Sequence, residues 1–336
     1  MRMFQGHFAL LLLALTGPAA AQTTSEFKAV KVIVSSAAGT SYDSFARVIA
    51  RHLVKQIPGK PGVIVQNMPG AGGLVAANYL FNIADKDGAT LGLLNRNSLI
   101  QPIVGNKQAR FRSEEFYWLG TPVSYRDDPY LFVINANQPY KNAQEVMKAI
   151  KPVQVGNSGS VMIDIIKETM GLNVNIVNGY EKNVLDLAFL RGEVDGIGIP
   201  YANLIGRFPG MLEKGQVRAI VQYGSVERSP VLPDVPTARE LATSPDARML
   251  LGFIEAPLSI AYPFALPPGV PAERAAAMRG AFDRMWEGPD YRAEIVGQKL
   301  AHAPKGGSEV EREVGELVRA PQSVIKRYNE VAKASE

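Results

Sequence analysis

The residues best suited to chemistry sit in small, glycine-bearing turns that follow β-branched runs. After Val63-Ile64-Val65 the chain reads Asn67-Met68-Pro69-Gly70-Ala71-Gly72-Gly73, then a helix-forming run from Leu74 to Phe81. The pattern predicts strand, glycine turn and helix. Glycine lets backbone approach a ligand closely, and a helix start leaves N–H groups without partners. Those donors, with the positive end of the helix dipole, suit an anion. The same turn also serves tight packing of helix on sheet. A second copy lies upstream, where Val30-Lys31-Val32-Ile33-Val34 runs into Ser35-Ser36-Ala37-Ala38-Gly39-Thr40-Ser41. The helix after it begins Tyr42-Asp43-Ser44 and carries an apolar stripe of Val48, Ile49, Leu53 and Val54. In successive parallel βα units such turns open on one rim, where open α/β sheets bind ligands. Two of them can clamp one small anion. A third strand over residues 90–94 ends at Asn95-Arg96-Asn97-Ser98, and Arg96 is the strong cation of these turns. It can pair a carboxylate bidentately, or serve as a surface or structural ion pair.

Reactive chemistry is sparse. The absence of cysteine excludes disulfides, thiol nucleophiles and thiolate-held metals. Gly156-Asn157-Ser158-Gly159-Ser160 resembles a nucleophile elbow without its last glycine. His52 falls inside a predicted helix and His302 in a late loop, so Ser158 has no evident base and reads as a hydrogen-bond donor. Gly70-Ala71-Gly72-Gly73 departs from G-x-G-x-x-G, since Val75 holds the third glycine position, and Leu74 stands where a phosphate-binding lysine would follow. No His, Asp and Glu spacing suggests a metal, and no cofactor is expected. What remains is a set of donor-rich turns, the profile of a binding cleft.

These turns need a scaffold of alternating strands and helices. The chain has 336 residues, enough for two domains of about 150 residues each. Its 46% hydrophobic and 20% charged content is that of a globular protein. A net charge of +4 is too mild for nucleic acid but suits an anionic small ligand. Residues 1–21 read as a secretory signal: Arg2, an apolar run over 8–15, and Ala19-Ala20-Ala21 after Pro18, with cleavage after Ala21. The run is too short to span a membrane, so an exported, periplasmic protein is expected. Residues 125–129 read as a first crossing between domains. Strands and helices then alternate again, with turns at Asn157, Ser158, Gly159 and Ser160 and at Asn178-Gly179-Tyr180. Residues 258–265 read as a strand that rejoins the first domain.

Taken in order, four motifs resemble a known family. They are Asn67-x-Pro69-Gly70-Ala71-Gly72-Gly73, Asp87-Gly88-x-Thr90-Leu91, Gly192-x-Val194-Asp195 and Pro233-Asp234-Val235-Pro236-Thr237. The chain looks like the periplasmic substrate-binding components of tripartite tricarboxylate transporters, the Bug or TctC-type receptors, over about residues 30–331. The resemblance implies a type II, two-lobed Venus-flytrap fold, each lobe a mainly parallel α/β sheet flanked by helices. Lobe 1 would comprise residues 22–123 and 251–336, and lobe 2 residues 124–250. It also implies an organic carboxylate held between residues 37–43 and 69–73 on one lobe, and residues 157–160 with Tyr180 on the other. The partners implied are that ligand and membrane permease subunits, with the receptor itself a monomer. The ligand-binding set is therefore Ser36, Ala38, Gly39, Thr40, Ser41, Tyr42, Asp43, Pro69, Gly70, Ala71, Gly72, Gly73, Arg96, Asn157, Ser158, Gly159, Ser160, Tyr180 and Ile199. Ile199, apolar where the family often carries an acid or amide, argues against a ligand ammonium group. A di- or tricarboxylate or an aromatic carboxylate is favoured over an amino acid. Two rival readings stay open: an exported α/β hydrolase using Ser158 or Asp43, and a receptor that signals to a partner instead of feeding transport.

Overall fold

The computed structural model describes residues 27–125, 129–224, 226–298 and 300–334. The expected signal sequence and its expected cleavage after Ala21, and the middle of the expected crossing at 126–128, lie outside the described residues. In chain order the first part runs β1 (Ala29–Val34), α1 (Ser41–Leu53), β2 (Gly62–Asn67), α2 (Leu74–Asn82), β3 (Thr90–Leu93) and β4 (Tyr117–Thr121). The second part runs β5 (Tyr130–Asn135), α3 (Ala143–Met147), β6 (Val153–Gly156), α4 (Met162–Met170), β7 (Val174–Val177), α5 (Lys182–Arg191), β8 (Gly196–Pro200), α6 (Tyr201–Arg207) and β9 (Val217–Tyr223). The last part runs α7 (Ala238–Leu241), α8 (Pro245–Ser259), β10 (Phe264–Leu266), α9 (Ala272–Glu287), α10 (Pro289–Gly297), β11 (Lys305–Gly306), α11 (Gly307–Val318) and α12 (Gln322–Ala334).

The strands form two sheets, β11-β4-β10-β3-β1-β2 and β7-β6-β8-β5-β9. β1 to β3 pair in parallel, as do β6, β7 and β8. These are the βα repeats legible in the sequence. Both sheets are nevertheless mixed, where mainly parallel ones were expected. Crossing between the sheets is the reason. β4 leaves the first sheet at the edge where β3 ends, and β10 re-enters there, with Phe264 opposite both Leu93 and Gly120. β5 starts beside the end of β8, Tyr130 opposite Pro200, so it must run antiparallel. The carboxyl ends of β1, β2, β3, β6, β7 and β8 therefore share their edges with both crossings.

The two crossings bond to each other. Tyr125 N donates to Leu258 O at 3.1 Å, Ala261 N to Val123 O at 3.2 Å, and Tyr262 N to Thr121 Oγ1 at 3.1 Å. Part of the strand expected at 258–265 is the end of α8. Ser244 caps that helix through Ala247 N, Pro245 holds its first turn, and Leu250, Leu251, Ile254 and Leu258 are buried at helical spacing. The returning strand is confined to β10. Helix α12, at the end of the segment assigned to lobe 1, packs on α4 and α8. No helix among the described residues is long and apolar enough to cross a membrane.

Candidate functional site

The turn after β1 is built around one carboxylate. Thr40 caps α1, its Oγ1 accepting from Asp43 N and donating to Ala37 O at 2.8 Å. Asp43 is buried. Its Oδ2 accepts from Gly39 N at 3.0 Å and from Arg47 Nε at 3.0 Å; its Oδ1 accepts from Asn67 Nδ2 at 3.0 Å and pairs with Arg47 Nη2 at 2.9 Å. Charge-assisted bonds from Arg47, with those from Gly39 and Asn67, hold its carboxyl down at about 2 despite burial. Asn67 Nδ2 also reaches Ser36 O at 3.0 Å, and Met68 N bonds Val34 O at 2.7 Å. The two glycine-bearing turns thus lie side by side, as two neighbouring parallel strands require. Asp43 joins them, which gives it a place in the loop architecture. Its acceptors already serve four donors.

The second turn is a run of left-handed backbone. Gly70, Ala71, Gly72 and Gly73 have φ of +133°, +47°, +63° and +98°. A Cβ on Gly73 would lie 2.6 Å from Asn95 Cβ, so glycine there lets the second turn press on the third. The amides of Ala71 and Gly72 bond no acceptor among the described residues, and both residues are exposed.

Asn95 caps the third turn through Asn97 N, which presents Arg96 toward the second sheet. Arg96 N donates to Tyr42 Oη at 3.3 Å, and Tyr42 Oη donates to Ala261 O at 3.1 Å. With its ring against Tyr262 and its hydroxyl engaged, Tyr42 is a strut and not a free wall; burial pushes its hydroxyl up to about 12, against the pull of Arg96. The Arg96 guanidinium lies 5.2 Å from the Tyr125 ring centre and 5.9 Å from that of Tyr130, and Nη2 donates to Tyr130 Oη at 3.2 Å. Nε is buried with no hydrogen-bond partner, and no carboxylate pairs with Arg96 among the described residues.

From the second sheet, Asn157 is buried and binds its own loop. Its Nδ2 donates to Ser160 O at 3.0 Å and Asn178 Oδ1 at 2.8 Å, while its Oδ1 accepts from Ser160 N at 3.1 Å. Ser158 and Gly159 form the exposed tip, with Gly159 at φ +86°.

Between the sheets lies a cavity of about 210 Å³. Of the expected residues it gathers Arg96, Asn157, Ser158, Ser160 and Ile199. Gly159 lines an adjoining cavity of about 620 Å³ that shares Asn97 and Ser158. Residues 36–43 and 69–73 do not line the smaller cavity; they reach it through the turn that carries Arg96, where Tyr42 bonds the Arg96 amide and Gly73 packs on Asn95. Tyr180 is half-buried against the second sheet's core and stands off it too. Sequence reasoning missed Tyr130, Tyr223, Asp186 and Arg207, which all line it. Tyr130 was detectable as the first residue after the crossing; Tyr223, Asp186 and Arg207 carried no turn signal. The lining holds no histidine among the described residues. His52 pairs with Glu294 and His302 stacks on Tyr291. No group of metal-ligating side chains occurs among the described residues.

Two α/β sheets joined by paired crossings, with strand-end turns facing a polar cavity, define a type II periplasmic binding protein. Residues 45–298 match the tripartite tricarboxylate transporter family receptor, TctC, and the chain belongs to that family. Over 145 residues it is 31% identical to a UPF0065 protein of Bordetella bronchiseptica, a match spanning 43% of this chain and 42% of that one. The fold resembles a TctC solute binding protein from Polaromonas, with TM-score 0.64, 20% identity and coverage of 89% of this chain and 98% of that one. It also resembles MatC from Rhodopseudomonas palustris with bound malate, with TM-score 0.60, 23% identity and coverage of 90% and 98%.

Proposed function

We propose that the chain is an exported, monomeric receptor that captures a small organic carboxylate between its lobes and hands it, unaltered, to the permease of a tripartite transporter. The observation that carries this is Arg96: a half-buried guanidinium at the cavity, braced by tyrosines, with no acidic partner among the described residues. A desolvated cation held open to a cleft favours an anion to complete it. Ser158, Ser160 and the start of α4 add donors from the facing sheet. The division we adopt puts residues up to 123 and from 251 in lobe 1 and 124–250 in lobe 2, with α12 reaching across. The bonded segments around 121–125 and 258–262 serve as the hinge. Export follows from residues 1–21, with cleavage after Ala21. The MatC likeness adds a neighbour solved with a carboxylate in the same fold.

The test is a calorimetric and thermal-melting screen of ligand-free protein against mono-, di- and tricarboxylates. At least one should raise the melting temperature in proportion to its occupancy. A thorough screen with no hit removes the receptor reading. Turnover of an ester that is lost in Ser158→Ala would replace it with a hydrolase.

A further inference from the structure

The cavity holds two arginines in different electrostatic situations. Arg96 enters from the first sheet without a carboxylate partner among the described residues. Arg207, on α6, enters from the second sheet with its charge already met: its Nη2 lies 2.8 Å from Asp186 Oδ2 on α5, and both side chains line the cavity. Their side chains are 33% and 19% exposed, so a solute can reach the pair. Among the described lining residues, two cations and one anion leave one net positive charge. The lining also offers an apolar surface, formed by Leu185, Ile197, Ile199, Leu258 and the ring of Tyr223, beside the polar Asn97, Asn157, Ser158 and Ser160.

We propose, on the basis of the carboxylate-receptor reading above, that the Asp186–Arg207 pair is a charge filter, and that the ligand is a monocarboxylate with an apolar body. The carboxylate sits at Arg96 and the body lies on the apolar wall. A second carboxylate that reached the Asp186–Arg207 pair would meet Asp186 and would have to take Arg207 from it. Like charges brought together in one cleft are costly, which gives a site a means of rejecting a partner beside its attractive contacts. An ammonium group on the ligand gains little, because it would have to take Asp186 from Arg207.

The test uses matched pairs on the whole protein by calorimetry: hexanoate against adipate, and 3-phenylpropanoate against phenylalanine. The expected result is at least tenfold tighter binding of hexanoate than adipate and of 3-phenylpropanoate than phenylalanine. Asp186→Asn, checked by thermal melting, should raise the adipate-to-hexanoate affinity ratio by tenfold or more, because it frees Arg207. The comparison in the unmodified protein stands even if that variant fails to fold. Adipate binding as well as or better than hexanoate, a preference for phenylalanine, or a ratio within twofold of the original in folded Asp186→Asn overturns the filter while leaving the receptor reading in place. Failure of every carboxylate to bind overturns both.

Discussion

Arg96→Ala separates stability from binding. In the unliganded protein the substitution removes two cation–π contacts, at 5.2 and 5.9 Å, and one hydrogen bond to Tyr130. At about 0.5–1 kcal/mol for each ring contact and about 1 kcal/mol for the bond, some 2–3 kcal/mol of favourable interaction is lost. Against that, the change releases a partly desolvated cation whose Nε has no partner, a penalty of about 1–3 kcal/mol. The two nearly cancel, so the unliganded melting temperature should move little. Affinity has no such compensation. Hydrogen bonds to a charged group are worth about 1.5–3 kcal/mol each, so loss of the guanidinium fork should cost about 2–4 kcal/mol, or roughly 30- to 700-fold in Kd at 1.4 kcal/mol per tenfold. Arg96→Lys should fall between, since it keeps the charge and loses the planar fork. Calorimetric titration of both variants with a carboxylate found in the screen reads the effect. Binding within about threefold of the unmodified protein in Arg96→Ala would refute the assignment of Arg96 to the ligand, whatever happened to stability.

Three further outcomes are expected. Asp43 has a depressed carboxyl in the folded chain, about 2 against about 3.9 unfolded, so its contribution is present above pH 4 and is lost as pH falls toward 2; the urea midpoints of the parent and Asp43→Asn should differ at pH 6 and converge toward pH 2. Gly73→Ala should destabilise by about 2–4 kcal/mol, because its Cβ meets Asn95 at 2.6 Å on a backbone at φ +98°, whereas Gly72→Ala, with open space at φ +63°, should cost only the backbone strain of about 1 kcal/mol; equal losses would show that the press of the second turn on the third is unimportant. Asn157→Ala unties Ser160 and Asn178 together and should weaken ligand binding several-fold with a smaller change in melting temperature, measured by calorimetry and differential scanning.

The sequence alone determined the βα repeats, the two neighbouring glycine-bearing turns, and Arg96 as the cation of that rim. Each rests on local rules: side-chain period, glycine conformations and helix starts. It also carried the family, through motifs that run from Asn67 to Thr237 within the matched residues 45–298. Tertiary structure decided what those residues do. Asp43 and Tyr42 turned inward because their polar groups were taken by Arg47, Asn67, Arg96 and Ala261, partners as much as 219 positions away in sequence. The mixed sheets arose where the chain crosses twice at the cleft, which no local pattern encodes. The same crossings placed Tyr125 and Tyr130 around Arg96, and the packing of α5 beside α6 placed Asp186 against Arg207. Charge balance in the cleft is set by groups brought together by tertiary packing, Asp186 with Arg207 on neighbouring helices and Arg96 among tyrosines of the crossing, so it is a property of the fold and cannot be read from spacing.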